Sequence, residues 1–210
     1  AYRRAVMMLK RFKKNTEGGV SVEASFLLMI MVALTGATIE AGYAYFQWNS
    51  AQQAARHGAR LAATSDPVAS NLTSMTGIGN GVEAGDPMPN YVRSCAGKTG
   101  QCNSGGFNST AMDKIVFGPD NDGTCGPTQK ERRGMCDVFG DVTKDNVEVI
   151  YAHSGLDKAG YPADLAPLVT VTVTGLKFDF VMLGLFTPDS FSNMPDVSVS
   201  LMAEDLRSGT

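Results

Sequence analysis

Four cysteines carry the most legible chemistry in this chain. Cys95, Cys102, Cys125 and Cys136 are an even set, and thiols in even number in an oxidising compartment point to disulfides. Three pairings are possible. The local ones, Cys95–Cys102 and Cys125–Cys136, are favoured because each closes a short glycine-rich loop. The spacings lack the close Cys or His pairs of a zinc site, so no metal is expected. The two histidines, His57 and His153, fall on the polar face of a helix and at the end of a strand, and both read as ordinary structural or surface residues. There is no G-x-S-x-G and no H-E-x-x-H. Thr76–Gly81 is glycine-rich, but no strand precedes it and no helix follows, so it is not a phosphate loop. Asp120-Asn121-Asp122-Gly123 has the start of a calcium loop without its downstream glutamate and reads as a turn. The chain therefore reads as non-enzymatic, with no cofactor and no small-molecule substrate.

The remaining chemistry is that of two acids in apolar surroundings, Glu23 and Glu40. Between them, Ala24 to Ile39 carries no charge, and apolar character continues to Trp48. As a helix, Ala24–Phe46 spans roughly 34 Å, enough to cross a bilayer's hydrocarbon. The stretch from Gly18 to Ala63 is thus the axis of the protein. The acids lie 17 residues apart, roughly 26 Å along that axis, so each sits near one edge of the hydrocarbon. Residues 1–17 carry Arg3, Arg4, Lys10, Arg11, Lys13 and Lys14 against Glu17, a net +5; the whole chain is −3, leaving −8 for the rest. A basic flank stays on the cytoplasmic side of a span. Charge and cysteine placement thus agree on a cytoplasmic N-terminus and an exported C-terminal part. Anionic lipid headgroups account for the cations, so no nucleic-acid partner is expected. A secretory signal peptide is the competing reading, but the apolar run is long and flows into more helix without a clean cleavage site.

Three regions follow: a basic leader (1–17), the span with its extension (18–65) and an exported domain (66–210). The leader reads either as a short amphipathic helix on the inner leaflet or as a solvated segment. Gly18-Gly19 should interrupt the helical pattern, since glycines are costly in a helix. Tyr43, Tyr45, Phe46 and Trp48 form an aromatic belt at the outer interface. Beyond it Ala51, Ala54, Ala55, Gly58, Ala59 and Ala62 line one helical face. This stripe of small residues allows close backbone approach and should pack on a sheet or another helix. Asp66-Pro67 ends the helix. Residues 67–145, rich in Gly, Ser, Asn, Asp and Pro, read as long loops with a short strand at Lys114–Phe117, where disulfides substitute for a core. Strands are expected at Asn146–Ala152, Leu168–Thr174, Lys177–Val181 and Val197–Ala203, with Val169, Val171 and Val173 on one face. The fold class is α+β: a long N-terminal transmembrane helix continuing into a helix packed on a small antiparallel sheet, with a loop-rich disulfide-containing insertion. In Val181–Phe186 the strand alternation breaks into six apolar residues. They read either as a buried loop closing the core or as a surface in which Leu183, Leu185 and Phe186 contact lipid or a partner.

The glycine at the end of the basic leader, with Glu23 five residues past a cut between Gly18 and Gly19, resembles a type IV prepilin-like cleavage site. IEAGYAYF followed by AARHGARLAA, and later VTVTVTGLKFDF and VSVSLMAEDLRSG, are similar to the TadE-like family of minor pilins (pseudopilins) of tight-adherence pilus systems. The likeness covers about residues 10–64 and 165–208, and 67–164 has no counterpart. It implies a structural pilus or pilus-assembly protein of the bacterial inner membrane, with its C-terminal domain periplasmic and its partners membrane lipid and other pilin-like subunits. It also implies that the Glu23 carboxylate pairs with the new amino terminus of a neighbouring subunit, which suits a low dielectric where a lone carboxylate is costly. The chain as given starts at Ala1 with its leader present. That makes an accessory subunit of a larger inner-membrane complex, respiratory or photosynthetic, the alternative expectation. A membrane-tethered periplasmic binding module is the weakest of the three.

Overall fold

The computed structural model describes residues 17–119, 123–126, 133–160, 165–180, 192–203 and 206. Its axis is α1, Glu17–Thr64, 48 residues long, about 72 Å of continuous helix. The helix includes Gly18 and Gly19 in its first turn instead of breaking at them. Each glycine costs only about 1 kcal/mol relative to alanine, and the long run of helix formers behind them outweighs that. α1 ends where Ser65 Oγ donates to the Leu61 carbonyl at 2.5 Å, two residues ahead of Pro67.

Five strands form one antiparallel sheet: β1 (Val92–Ala96), β2 (Gln101–Cys102), β3 (Val147–Ala152), β4 (Leu168–Val173) and β5 (Val197–Met202), in the order β2-β1-β3-β4-β5. Period-2 alternation sets which side is buried. Val147, Val149 and Tyr151 point inward from β3, and Val169, Val171 and Val173 from β4. Register aligns Cys95 with Val149, Val149 with Val171 and Val171 with Val199, so one apolar row crosses the sheet. The opposite side carries hydroxyls, including the Thr170–Ser200 pair at 2.8 Å. α1 packs over β4 and β5, and two short helices, α2 (Ser109–Phe117) and α3 (Met135–Val138), flank it.

Three further expectations need correction. Lys114–Phe117 is the end of a helix, not a strand. Asn108 accepts a hydrogen bond from the Ala111 amide at 3.2 Å, an N-cap that starts a helix, and Ala111, Met112, Ile115 and Val116 are buried at helical spacing. A short apolar run such as Ile115-Val116-Phe117 fits either periodicity, and the cap decides. Second, Lys177–Phe180 is not a strand: Lys177 makes an isolated bridge to Asn193, and the next residues are held by α1, as described below. Val181 lies outside the described residues. Third, the 67–145 region supplies two strands, β1 and β2. Val-Arg-Ser-Cys-Ala has too little apolar alternation to announce itself, and it is a strand because it pairs with β3.

Candidate functional site

Most of the candidate side chains lie along α1, which changes character near Glu40. From Val20 to Ile39 its large apolar side chains are 41–72 % exposed. This section has a mean hydropathy of 1.9 over its apolar window, none of it buried, and is long and apolar enough to cross a membrane. A patch of that size in water marks a contact, and lipid is the environment that fits a ring of apolar residues around a whole helix. Gly18 and Gly19 open this section, and Glu23 stands exposed one turn later. Tyr43, Tyr45 and Phe46 are exposed in the expected belt, whereas Trp48 is half-buried and packs on the core.

From Glu40 onward one face of α1 is covered. Glu40 is 5 % exposed and Gln47 4 %, and Ala51, Ala54, Ala55, Ala59 and Ala62 are fully buried. A Cβ added to Gly58 would collide with the Met135 side chain, so glycine here allows α3 to lie directly on α1. His57 hydrogen-bonds the Arg133 carbonyl just before α3. Gln47 makes a two-way amide contact with the Asp179 backbone: its Nε2 donates to the carbonyl at 3.1 Å, and its Oε1 accepts from the amide at 3.0 Å. Gln47 belongs to no motif in the sequence. Its signal was position, because it lies four residues before Ala51 and so extends the buried stripe toward the membrane.

The cysteines meet in the favoured local pairs. The Cys95 and Cys102 sulfurs lie 1.97 Å apart, across directly opposed residues of β1 and β2. Those of Cys125 and Cys136 lie 2.19 Å apart. Cys136 follows Met135, so this bond ties down the helix that covers Gly58.

A buried polar cluster was not foreseen. The Asp157 carboxylate is almost fully buried; it accepts from the Ala166 amide at 2.6 Å, the Tyr91 hydroxyl at 3.0 Å and His153 Nδ1 at 3.1 Å. Burial, reinforced by the adjacent Asp157 carboxylate, pushes the Tyr91 phenol well above its ordinary value. With donors engaged on both oxygens, Asp157 ties the segment after β3 to the entrance of β1 and to Ala166. Tyr151 plays a similar part within β3. It is fully buried, and its oxygen accepts from the Val68 amide at 3.0 Å.

Leu183, Leu185 and Phe186 fall outside the described residues, as do Asp120, Asn121 and Asp122. Among the described residues no group of three or more His, Cys, Asp or Glu could hold a metal ion.

No curated protein and no solved structure matches this chain. The model of the family described as TadE-like protein does match, over residues 18–60, which is the segment running from Gly18 through the exposed apolar section and the aromatic residues to the packed stripe.

Proposed function

We propose that this protein is a TadE-like minor pilin or pilus-assembly component, a non-enzymatic single-pass subunit of the bacterial inner membrane. Its leader (1–17) is cytoplasmic, α1 crosses the bilayer within 18–65, and residues 66–210 form a periplasmic domain. The observation that carries this reading is that the family match coincides with the anchor and its attachment face. Residues 18–60 hold the membrane-crossing section and most of the stripe on which the sheet and short helices pack. An uninterrupted helix joining the two couples the domain rigidly to a lateral neighbour in the membrane. Pilin-like subunits are the natural partners of such a helix.

Cleavage between Gly18 and Gly19 leaves Glu23 as the fifth residue of the mature chain, available to the amino terminus of a neighbouring subunit. Mass spectrometry of the N-terminus of protein taken from its native membrane tests this. A mature start at Gly19 supports the pilus role. An intact leader in assembled material moves the protein to a permanent accessory subunit of an inner-membrane complex. Glu23→Ala is expected to leave membrane insertion intact and to abolish recovery of the protein with its pilin-like neighbours.

A further inference from the structure

The Gln47–Asp179 contact fixes how far the folded domain stands from the membrane. Hydrocarbon beginning at Ala24 takes about 20 helical residues, so it ends near Ala44, and the headgroup zone extends roughly 5–7 Å further. Gln47 is about 5 Å beyond Ala44, within that zone. Its two hydrogen bonds hold the backbone of Asp179 at the same height. On either side of Asp179 stand Phe178 and Phe180, with ring centroids 5.8 Å apart. Phe178 packs against the core, while Phe180 lies tilted against it and is partly exposed. The exposed Tyr43 and Phe46 lie within one helical turn of Gln47. Burial on α1 reaches lower still: Glu40 is 5 % exposed, about 10 Å nearer the membrane centre than Gln47.

We propose that the Phe178–Phe180 corner is a membrane-docking surface, seated in the headgroup region of the leaflet on the domain's side, with the bilayer itself as its partner. Phenylalanine rings favour the headgroup–acyl boundary because their apolar area leaves water there, as on helices that lie in the interface. The corner continues the belt of α1, so the domain meets the lipid at two places, the helix and this corner. Lys177 is exposed beside the corner and can reach lipid phosphate, as basic side chains do at this level. Two points of contact restrain the domain from swinging about α1, and Gln47 is the positioning residue that locks the second point to the first. The inference rests on α1 crossing the membrane.

Full-length protein reconstituted in phosphatidylcholine–phosphatidylglycerol vesicles provides the test, with lipid brominated near the headgroup end of the acyl chains. In a Trp48→Phe background, single tryptophans are introduced by Phe46→Trp, Phe180→Trp or Arg60→Trp; Arg60 is exposed and about 20 Å further along α1 than Gln47. Brominated lipid should quench Phe46→Trp and Phe180→Trp to about half, as expected for aromatic rings at headgroup level, and leave Arg60→Trp unchanged. Phe180→Trp quenched no more than Arg60→Trp, while Phe46→Trp responds, overturns the docking surface alone and assigns the corner to a protein neighbour. Loss of the response at Phe46→Trp as well overturns the membrane-spanning reading beneath it. A headgroup-proximal photoreactive lipid gives the same answer on the unaltered chain. Adducts on the peptide holding Phe178–Phe180 support the proposal, and adducts confined to α1 overturn it.

Discussion

Tyr151 and Asp157 are two polar side chains that each hold chain segments together from inside the core. Burial raises the Tyr151 phenol above its ordinary 10.0, and the hydrogen bond from the Val68 amide offsets that only in part. A raised folded value means that the folded state keeps its proton after the unfolded state has lost it. The stability Tyr151 contributes is therefore fully present below pH 10 and is lost as pH rises through the folded value, at up to about 1.4 kcal/mol per pH unit. Tyr91 shifts in the same direction and adds to the same alkaline fall. Tyr151→Phe should flatten this fall and, by leaving the buried Val68 amide unpaired, lower stability near neutral pH by about 1–3 kcal/mol. Urea midpoints at neutral pH and above pH 10 would show both effects. Asp157→Ala removes an acceptor that the Ala166 amide, Tyr91 and His153 share, and is expected to cost about 3 kcal/mol or more, read as a drop in the thermal midpoint of the domain.

At the scale of elements, the seating of α3 on its neighbours, α1 on one side and the end of α2 on the other, depends on glycine at two positions with different obstacles. At Gly58 an added Cβ meets the Met135 side chain, which has some freedom to shift. At Gly134 it meets the backbone of Val116, Phe117 and Gly118, where α2 ends. Backbone cannot yield without moving a whole element. Gly134→Ala should therefore destabilise by about 2–3 kcal/mol despite adding one carbon, whereas Gly58→Ala should cost less than about 1.5 kcal/mol because overpacking is offset by better helix propensity. Denaturation of the two variants side by side would check that order. The disulfides act on the same elements. Peptide mapping without reductant is expected to link Cys95 to Cys102 and Cys125 to Cys136. Replacing Cys125 and Cys136 together with serine reopens a loop whose closure is worth about 3 kcal/mol. It should free α3 from Gly58, seen as faster proteolysis between residues 119 and 134, with membrane insertion unchanged because the span draws its stability from lipid.

For the whole molecule, charge decides orientation. The +5 leader and the paired cysteines after the span predict a cytoplasmic N-terminus and a periplasmic C-terminus. A phosphatase reporter that is active only after export, fused behind Thr210, should be active in cells. A stable but inactive fusion would reverse the topology and remove the periplasmic assignment of the domain.

The sequence by itself determined the features whose signal is local and periodic. The span is visible because sixteen residues from Ala24 to Ile39 carry no charge, the stripe because its small residues recur at helical spacing, and β4 because Leu168–Val173 alternates strictly. The local cysteine pairs were readable because short loops limit which thiols can meet. Tertiary structure alone decided the rest. Val92–Ala96 is a strand only because β3 offers it hydrogen-bonding partners. Lys177–Phe180 makes only an isolated bridge to Asn193, and Gln47, more than a hundred residues earlier in the chain, holds the Asp179 backbone. Tyr91 joins His153 and Asp157 in one cluster from more than sixty residues earlier in the chain. Contacts between residues far apart in the chain have no periodicity, so the sequence carries no local trace of them; they exist only once α1 and the sheet have closed on each other.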